Sequence, residues 1–240
     1  FGLGQETGKI NTAAVLLARQ AVTAASGVSR PEGAAAGVTD GDHAGARRRF
    51  VAFSIGPTGK TLPPVGKAST DEIADEIASQ VLDTASGYDM ILVETMFDLR
   101  EAVIAVESAR KHASVPVAAT LTFMKNPRGF FTIMGDDPAL TIRKLEAAGA
   151  DIVGANCTIA SAEMVELARA LRGMTELPIL CQPTAGQPRL SAGRPVYDQT
   201  PEDFALDALE LFSIGVNAVG GCCGTTPRFI EEIAARMTQH

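Results

Sequence analysis

Apolar residues recur along this chain in two alternating rhythms. Short, nearly unbroken apolar runs lie at Phe50–Ile55, Met90–Val93, Val117–Thr122, Ile152–Ala155, Ile179–Cys181 and Val216–Gly220. Between them, apolar positions return at helical spacing over Thr70–Ala85, Leu99–Ala113, Asp136–Ala148, Ser161–Arg172 and Thr200–Phe212, and again after Pro227. Runs that short and that apolar predict strands buried on both faces, as in a parallel sheet covered by helices. An earlier helix is predicted over Ile10–Ala25, where Ile10, Ala13, Ala14, Leu17 and Ala21 share a face. Phe1–Lys9 reads as a glycine-bearing loop and Met124–Met134 as a long one. Gly27–Arg49 has no apolar period and reads as a mobile insertion in a single domain spanning residues 1–240.

Polar and unusual residues collect just after the apolar runs. They are Gly56-Pro57-Thr58, Glu94, Thr122, Asn156-Cys157, Gln182-Pro183 and Cys222-Cys223. In a (β/α)8 TIM barrel all of these share the C-terminal face, where that fold places its active sites. A doubly wound open sheet would spread them along a line instead. Six strand–helix units are visible, and a closed barrel of this kind has eight. The expected fold is therefore α/β, a (β/α)8 TIM barrel lacking the first strand–helix unit and most of the second strand. Its Phe50–Ile55 strand would then lie on an open edge.

Composition narrows the partners. The formal net charge of −7 argues against nucleic acid or an anionic membrane surface. No apolar run approaches the roughly 20 residues of a membrane span, and no secretory signal precedes Ile10. Four cysteines, two of them adjacent, are too few for a disulfide framework, so a reducing cytoplasm is expected.

Those cysteines carry the sharpest chemistry. Gly220-Gly221-Cys222-Cys223-Gly224-Thr225-Thr226-Pro227 joins an apolar run to a helix signal, with Thr226 at the N-cap and Pro227 at the first helical position. Neighbouring side chains on a strand point apart, so two thiols aimed at one ligand need a backbone bend, which flanking glycines permit. Cys157 ends another run and is the candidate third ligand for zinc. Three thiolates leave one tetrahedral position open, which suits activation of a substrate thiol. Taken alone, Cys222-Cys223 reads equally well as core packing or as a vicinal disulfide, and Cys157 as a buried thiol. Cys181 reads as packing, because alternation with Gln182 turns it toward the helices. His43, His112 and His240 lie away from the strand ends and read as surface residues. Glu94 closes an apolar run and needs a partner, either a substrate ammonium or a neighbouring loop.

Gly-Gly-Cys-Cys-Gly-Thr-Thr-Pro at 220–227, Gly-Ala-Asn-Cys at 154–157, Gly-Pro-Thr-Gly at 56–59, Glu94-Thr95 and Gln182-Pro183-Thr184-Ala185-Gly186-Gln187-Pro188 resemble the zinc-dependent homocysteine S-methyltransferase family. The resemblance is greatest to the homocysteine-binding domain of the cobalamin-dependent methionine synthases. It implies a (β/α)8 barrel, with Cys157, Cys222 and Cys223 as zinc ligands and the homocysteine sulfur as a further one. It also implies Glu94 near the substrate ammonium, with Ser54, Thr122 and Asn156 as further substrate-binding candidates. Ser54 stands where some members carry an acidic residue. The implied donor is a methylcorrinoid (cobalamin) on a partner protein or domain. A betaine or sulfonium donor is the first alternative, and a non-catalytic zinc or corrinoid-partner module the second. The family's opening Asp-Gly-x-x-Gly-Thr turn, which helps bind the amino acid, is missing here, and Phe1-Gly2 resembles the end of its second strand. The chain is accordingly expected to bind zinc, but to bind homocysteine weakly or not at all until that segment is restored. The Gly27–Arg49 loop looks longer than usual, and Gly129–Gly135 differs from the better-known synthases.

Overall fold

The structure, a computed structural model, describes residues 4–26, 48–84 and 87–238. The expectations for Phe1-Gly2, for most of the 27–49 insertion, and for His43 and His240 lie outside them. A 3-10 turn at Gly4–Glu6 leads into α1 (Thr7–Ser26), so the helix begins inside the segment expected to be a loop. There follow β1 (Ala52–Ile55), α2 (Thr70–Asp83), β2 (Met90–Met96), α3 (Leu99–His112) and β3 (Val117–Leu121). Next come β4 (Met124–Asn126), β5 (Gly129–Phe131), α4 (Pro138–Ala147), β6 (Ile152–Ala160) and α5 (Ser161–Arg172). The chain continues through β7 (Ile179–Thr184), β8 (Arg189–Ser191), β9 (Arg194–Val196), α6 (Pro201–Ile214), β10 (Ala218–Val219) and α7 (Pro227–Met237).

Six strands form one sheet in the order β1-β2-β3-β6-β7-β10, every neighbouring pair parallel. The order advances in one direction without a reversal. That is the winding of a barrel wall, whereas a doubly wound sheet reverses at a switch point. The sheet is a curled partial barrel. Among the described residues, β1 and β10 each have a single strand neighbour.

Two short antiparallel hairpins, β4–β5 and β8–β9, stand apart from the main sheet. β4 pairs antiparallel with β5 where a long loop was expected, and β8 pairs with β9 inside the segment after β7. Each is three residues a side and exposed or half-buried, so neither has the buried alternation from which a strand is read.

Helix boundaries follow from local chemistry. Ser69 caps α2: its hydroxyl accepts from the Glu72 N–H while Glu72 accepts from the Ser69 N–H. Asp137 and Thr200 cap α4 and α6, each followed by proline at the first position. Gly215 ends α6 at φ 100°, a conformation open to glycine at little cost. Thr226 holds the N-cap position of α7 but makes no side-chain cap bond.

The core lies between sheet and helices. Ile55, Ile91, Val93, Ala119, Leu121, Val153, Ile179 and Cys181 are fully or almost fully enclosed. All five residues of β3 are buried, as its unbroken apolar run requires. Gly154 pairs with Leu180 of β7, and a Cβ there would lie 1.8 Å from the Leu180 carbonyl oxygen. No helix among the described residues is long and apolar enough to cross a membrane.

Candidate metal centre

Cys157 belongs to β6 rather than following it. The strand passes through the site on an irregularity, where its register with β7 shifts between Asn156 and Ala160. Cys157 and Thr158 lie there at φ 60° and 59°, in the left-handed region that non-glycine residues seldom adopt. This kink turns the Cys157 sulfur out of the strand's alternation. Glu94 likewise lies within β2, beside Thr95 at φ 61°. The strand leading to the cysteine pair is short, only Ala218–Val219. The following backbone is carried by ladder-like bonds, Gly220 N–H to the Cys181 carbonyl and Cys222 N–H to the Pro183 carbonyl. The Cys223 carbonyl accepts from Ala185, and the Cys222 carbonyl from the Thr225 N–H and hydroxyl.

These bonds bring three thiols together. The sulfurs of Cys157, Cys222 and Cys223 all lie within 4.8 Å of one another, and the Cys157–Cys223 pair is 3.6 Å apart. All four cysteines are free, which removes the vicinal-disulfide alternative. Two sulfurs on one tetrahedral zinc with bonds of about 2.3 Å lie about 3.8 Å apart, so the donor set and its spacing fit such an ion. Cys181 is fully buried in the core, and burial pushes its thiol up to about 12.

The three thiols share their protons unequally. The Cys222 thiol hydrogen-bonds the Cys157 sulfur, the Thr158 N–H and Cys223 add to that, and together they hold Cys157 down to about 5 against partial burial. Cys222 is pushed up in return, by its bond to Cys157 and by burial. Burial, then the same partner, pushes Cys223 up. In the metal-free chain the Cys157 thiolate fraction therefore rises through about pH 5. Iodoacetamide should modify Cys157 ahead of the other two at pH 6–7, at a rate that levels off above about pH 6. A peptide-mapped alkylation series checks this. A Cys157 rate still climbing from pH 7 to 9 would place the charge elsewhere.

The other sequence-derived candidates separate. Ser54 and Glu94 meet, the Ser54 hydroxyl donating to Glu94 Oε1, and Glu94 makes no ion pair among the described residues. Thr122 is buried, and its hydroxyl donates to the Met96 carbonyl at 3.4 Å. Asn156 is fully enclosed and reaches Cys222, with Nδ2 3.8 Å from its sulfur. His112 is half-buried at the end of α3, with Nδ1 2.9 Å from the Ser108 carbonyl oxygen.

Several residues of the site escaped sequence reasoning. Thr120 bonds Asn156 at 2.8 Å; a hydroxyl in the middle of the apolar run 117–122 was the available signal, because a buried hydroxyl needs a partner. Glu101, on the first turn of α3 and 1% exposed, fixes the Gly56–Gly59 turn by accepting from the Thr58 N–H at 2.8 Å and hydroxyl at 2.7 Å. Tyr197, just after β9, hydrogen-bonds Cys223 and packs over Gly224, where a Cβ would lie 2.2 Å from the ring. Local desolvation, then the sulfur's charge, pushes its phenol up. Gln182 Oε1 is buried without a hydrogen-bond partner among the described residues.

A one-way parallel barrel wall with three free thiols converging at the C-terminal ends of its strands defines a barrel-type α/β protein built around a metal-capable thiol centre. The chain belongs to the homocysteine S-methyltransferase family, a family of S-methyltransferase enzymes whose model matches residues 1–237. It is 36% identical over 201 residues to methionine synthase of Mycobacterium tuberculosis and 32% identical over 210 residues to that of Mycobacterium leprae. These alignments take in 80% and 84% of this chain but span only 16% and 17% of the relatives' length. Among solved structures, the apo form of the Escherichia coli homocysteine methyltransferase MmuM matches with a TM-score of 0.69 at 21% identity. That match covers 98% of this chain and 77% of that one. Its metallated form matches at 0.65 and 21%, over 97% and 70%. At such identity the structural likeness is one of fold.

Proposed function

We propose that this chain is the thiol-activating unit of a methyltransferase that converts homocysteine to methionine. In this reading Cys157, Cys222 and Cys223 hold zinc, and a methylcorrinoid on a partner protein or domain is the donor. The observation that carries it is the convergence of three free thiols within 4.8 Å of one another on a family-typical barrel wall. When bound, zinc supplies a positive centre that keeps a fourth, substrate sulfur deprotonated at neutral pH. The chain's own residues do the rest. Three cysteines fix the place of the sulfur, and Glu94 with Ser54 offers a carboxylate and a hydroxyl to the ammonium of an α-amino acid. The thiol proton leaves to solvent. The substrate sulfur then forms the new S–CH3 bond, and the donor departs with the electron pair of the bond to methyl. Thr122 is given no substrate contact, since its hydroxyl serves the Met96 carbonyl.

The test is zinc content of the purified chain, followed by methyl transfer to homocysteine from methylcobalamin. One zinc per chain is expected, with methionine formation at high homocysteine concentration. A chain that neither carries zinc nor can be loaded with it overturns the reading. Methionine formed from betaine or S-methylmethionine, but not from methylcobalamin, replaces the proposed donor. Zinc without turnover from any donor favours a non-catalytic module.

A further inference from the structure

Asn156 is 0% exposed, and every hydrogen-bonding position of its amide is occupied by the protein. Its Oδ1 accepts from the Thr95 N–H and from the Thr120 hydroxyl, both at 2.8 Å. Its Nδ2 donates to Thr95 Oγ1 at 2.8 Å and to Cys222 Sγ at 3.8 Å. A carboxamide has two donor hydrogens and two acceptor lone pairs, so none is left for a substrate.

One of its partners and its chain neighbour are strained points of the site. Thr95 follows Glu94 directly and sits at φ 61°, an outlying conformation for a β-branched residue. Cys157 follows Asn156 directly and sits at φ 60°. Such conformations persist only where the surroundings over-determine them, and they collect at working sites. One enclosed amide therefore grips the backbone and hydroxyl behind Glu94, grips the sulfur of Cys222, and lies next in chain to Cys157.

We propose that Asn156 is a positioning residue, not a substrate ligand. It locks the Glu94-Thr95 turn to the three-thiol centre, and its Nδ2–H···S bond draws charge from Cys222. Coupling of the two halves rests on these contacts alone. The consequence for chemistry rests on the methyl-transfer reading above. A thiolate that accepts a hydrogen bond is a weaker nucleophile, so Cys222 is kept from competing with a substrate sulfur held at the same centre.

Two substitutions separate these effects. Asn156→Asp keeps acceptors for Thr95 and Thr120 but replaces the donor to Cys222 with a carboxylate oxygen. Asn156→Ala removes the whole grip. In the metal-free chain, amide hydrogen exchange at Thr95 should quicken about tenfold or more in the alanine variant and stay slow in the aspartate variant. With cobalt(II) as the metal probe, the aspartate variant should bind with an affinity altered by about tenfold or more. Its sulfur-to-cobalt charge-transfer band should move to lower energy, because Cys222 is left richer in charge. Thr122→Val, a buried hydroxyl that does not touch Asn156, should leave band and exchange unchanged. Unaltered Thr95 exchange in the alanine variant overturns the coupling. If that variant fails to fold, an unaltered band and cobalt affinity in the aspartate variant overturn the proposal. An unchanged parent chain with no charge-transfer band at all overturns the metal reading instead, and the exchange measurement still decides the coupling.

Discussion

Replacing Cys157, Cys222 or Cys223 singly by serine is expected to leave the chain folded and to strip it of stoichiometric zinc. The three sulfurs are half-buried or exposed, and they lie at the end of the sheet rather than in its core. Loss of one therefore removes a ligand without opening a cavity. A complete structural zinc site contributes about 10–16 kcal/mol of apparent binding energy at neutral pH, so one thiolate of three or four is worth about 3–4 kcal/mol. Affinity should fall by about two to three orders of magnitude, and methyl transfer should fall with it. Cys181→Ala is the matched control: it removes a thiol from the core, so it should lower stability and leave zinc content at one per chain. Competition with a chromophoric chelator, beside far-ultraviolet circular dichroism, reads both quantities. Full zinc retention in any of the three serine variants would remove that cysteine from the centre.

The second large effect concerns a residue that touches no ligand. Gly154→Ala should unfold the chain or cost more than about 4 kcal/mol, a large share of the roughly 5–15 kcal/mol that holds a domain together. The new Cβ would meet the Leu180 oxygen at 1.8 Å, the carbonyl carbon at 2.8 Å and the nitrogen at 3.1 Å. All three are backbone atoms of β7, which is hydrogen-bonded on both sides and cannot swing away as a side chain can. Any relief must part β6 from β7, two residues before Asn156, so surviving protein should also lose metal affinity. Gly173→Ala is the comparison. That glycine has φ −77°, and its nearest atom is 3.6 Å away, so a change within about 0.5 kcal/mol is expected. Urea midpoints of the two variants decide the matter. A Gly154→Ala chain within about 1 kcal/mol of the parent would mean that the strands separate more easily than their pairing indicates.

Much of the architecture was legible from pattern alone, and for identifiable reasons. Strands buried on both faces leave unbroken apolar runs, so β1, β2, β3, β6 and β7 could be placed from hydrophobicity. Prolines at first helical positions marked the starts of α4, α6 and α7. Cysteines at the ends of two such runs, one adjacent pair flanked by glycines, marked the three-thiol cluster. Tertiary structure decided what depends on contacts distant in sequence. The hairpins of β4 with β5 and β8 with β9 bury little, and so leave no period to read. The direction of strand order, which separates a barrel wall from a doubly wound sheet, is a property of pairing and not of any one strand. The left-handed backbone at Thr95 is held by Asn156, 61 residues further on, and no local preference of threonine or cysteine foretells it or the kinks at Cys157 and Thr158. Asn156 shows the division most plainly. The sequence placed an amide beside a cysteine at a strand end, but whether that amide would face a substrate or be consumed within the fold depended on Thr95, Thr120 and Cys222, which only folding brings to it.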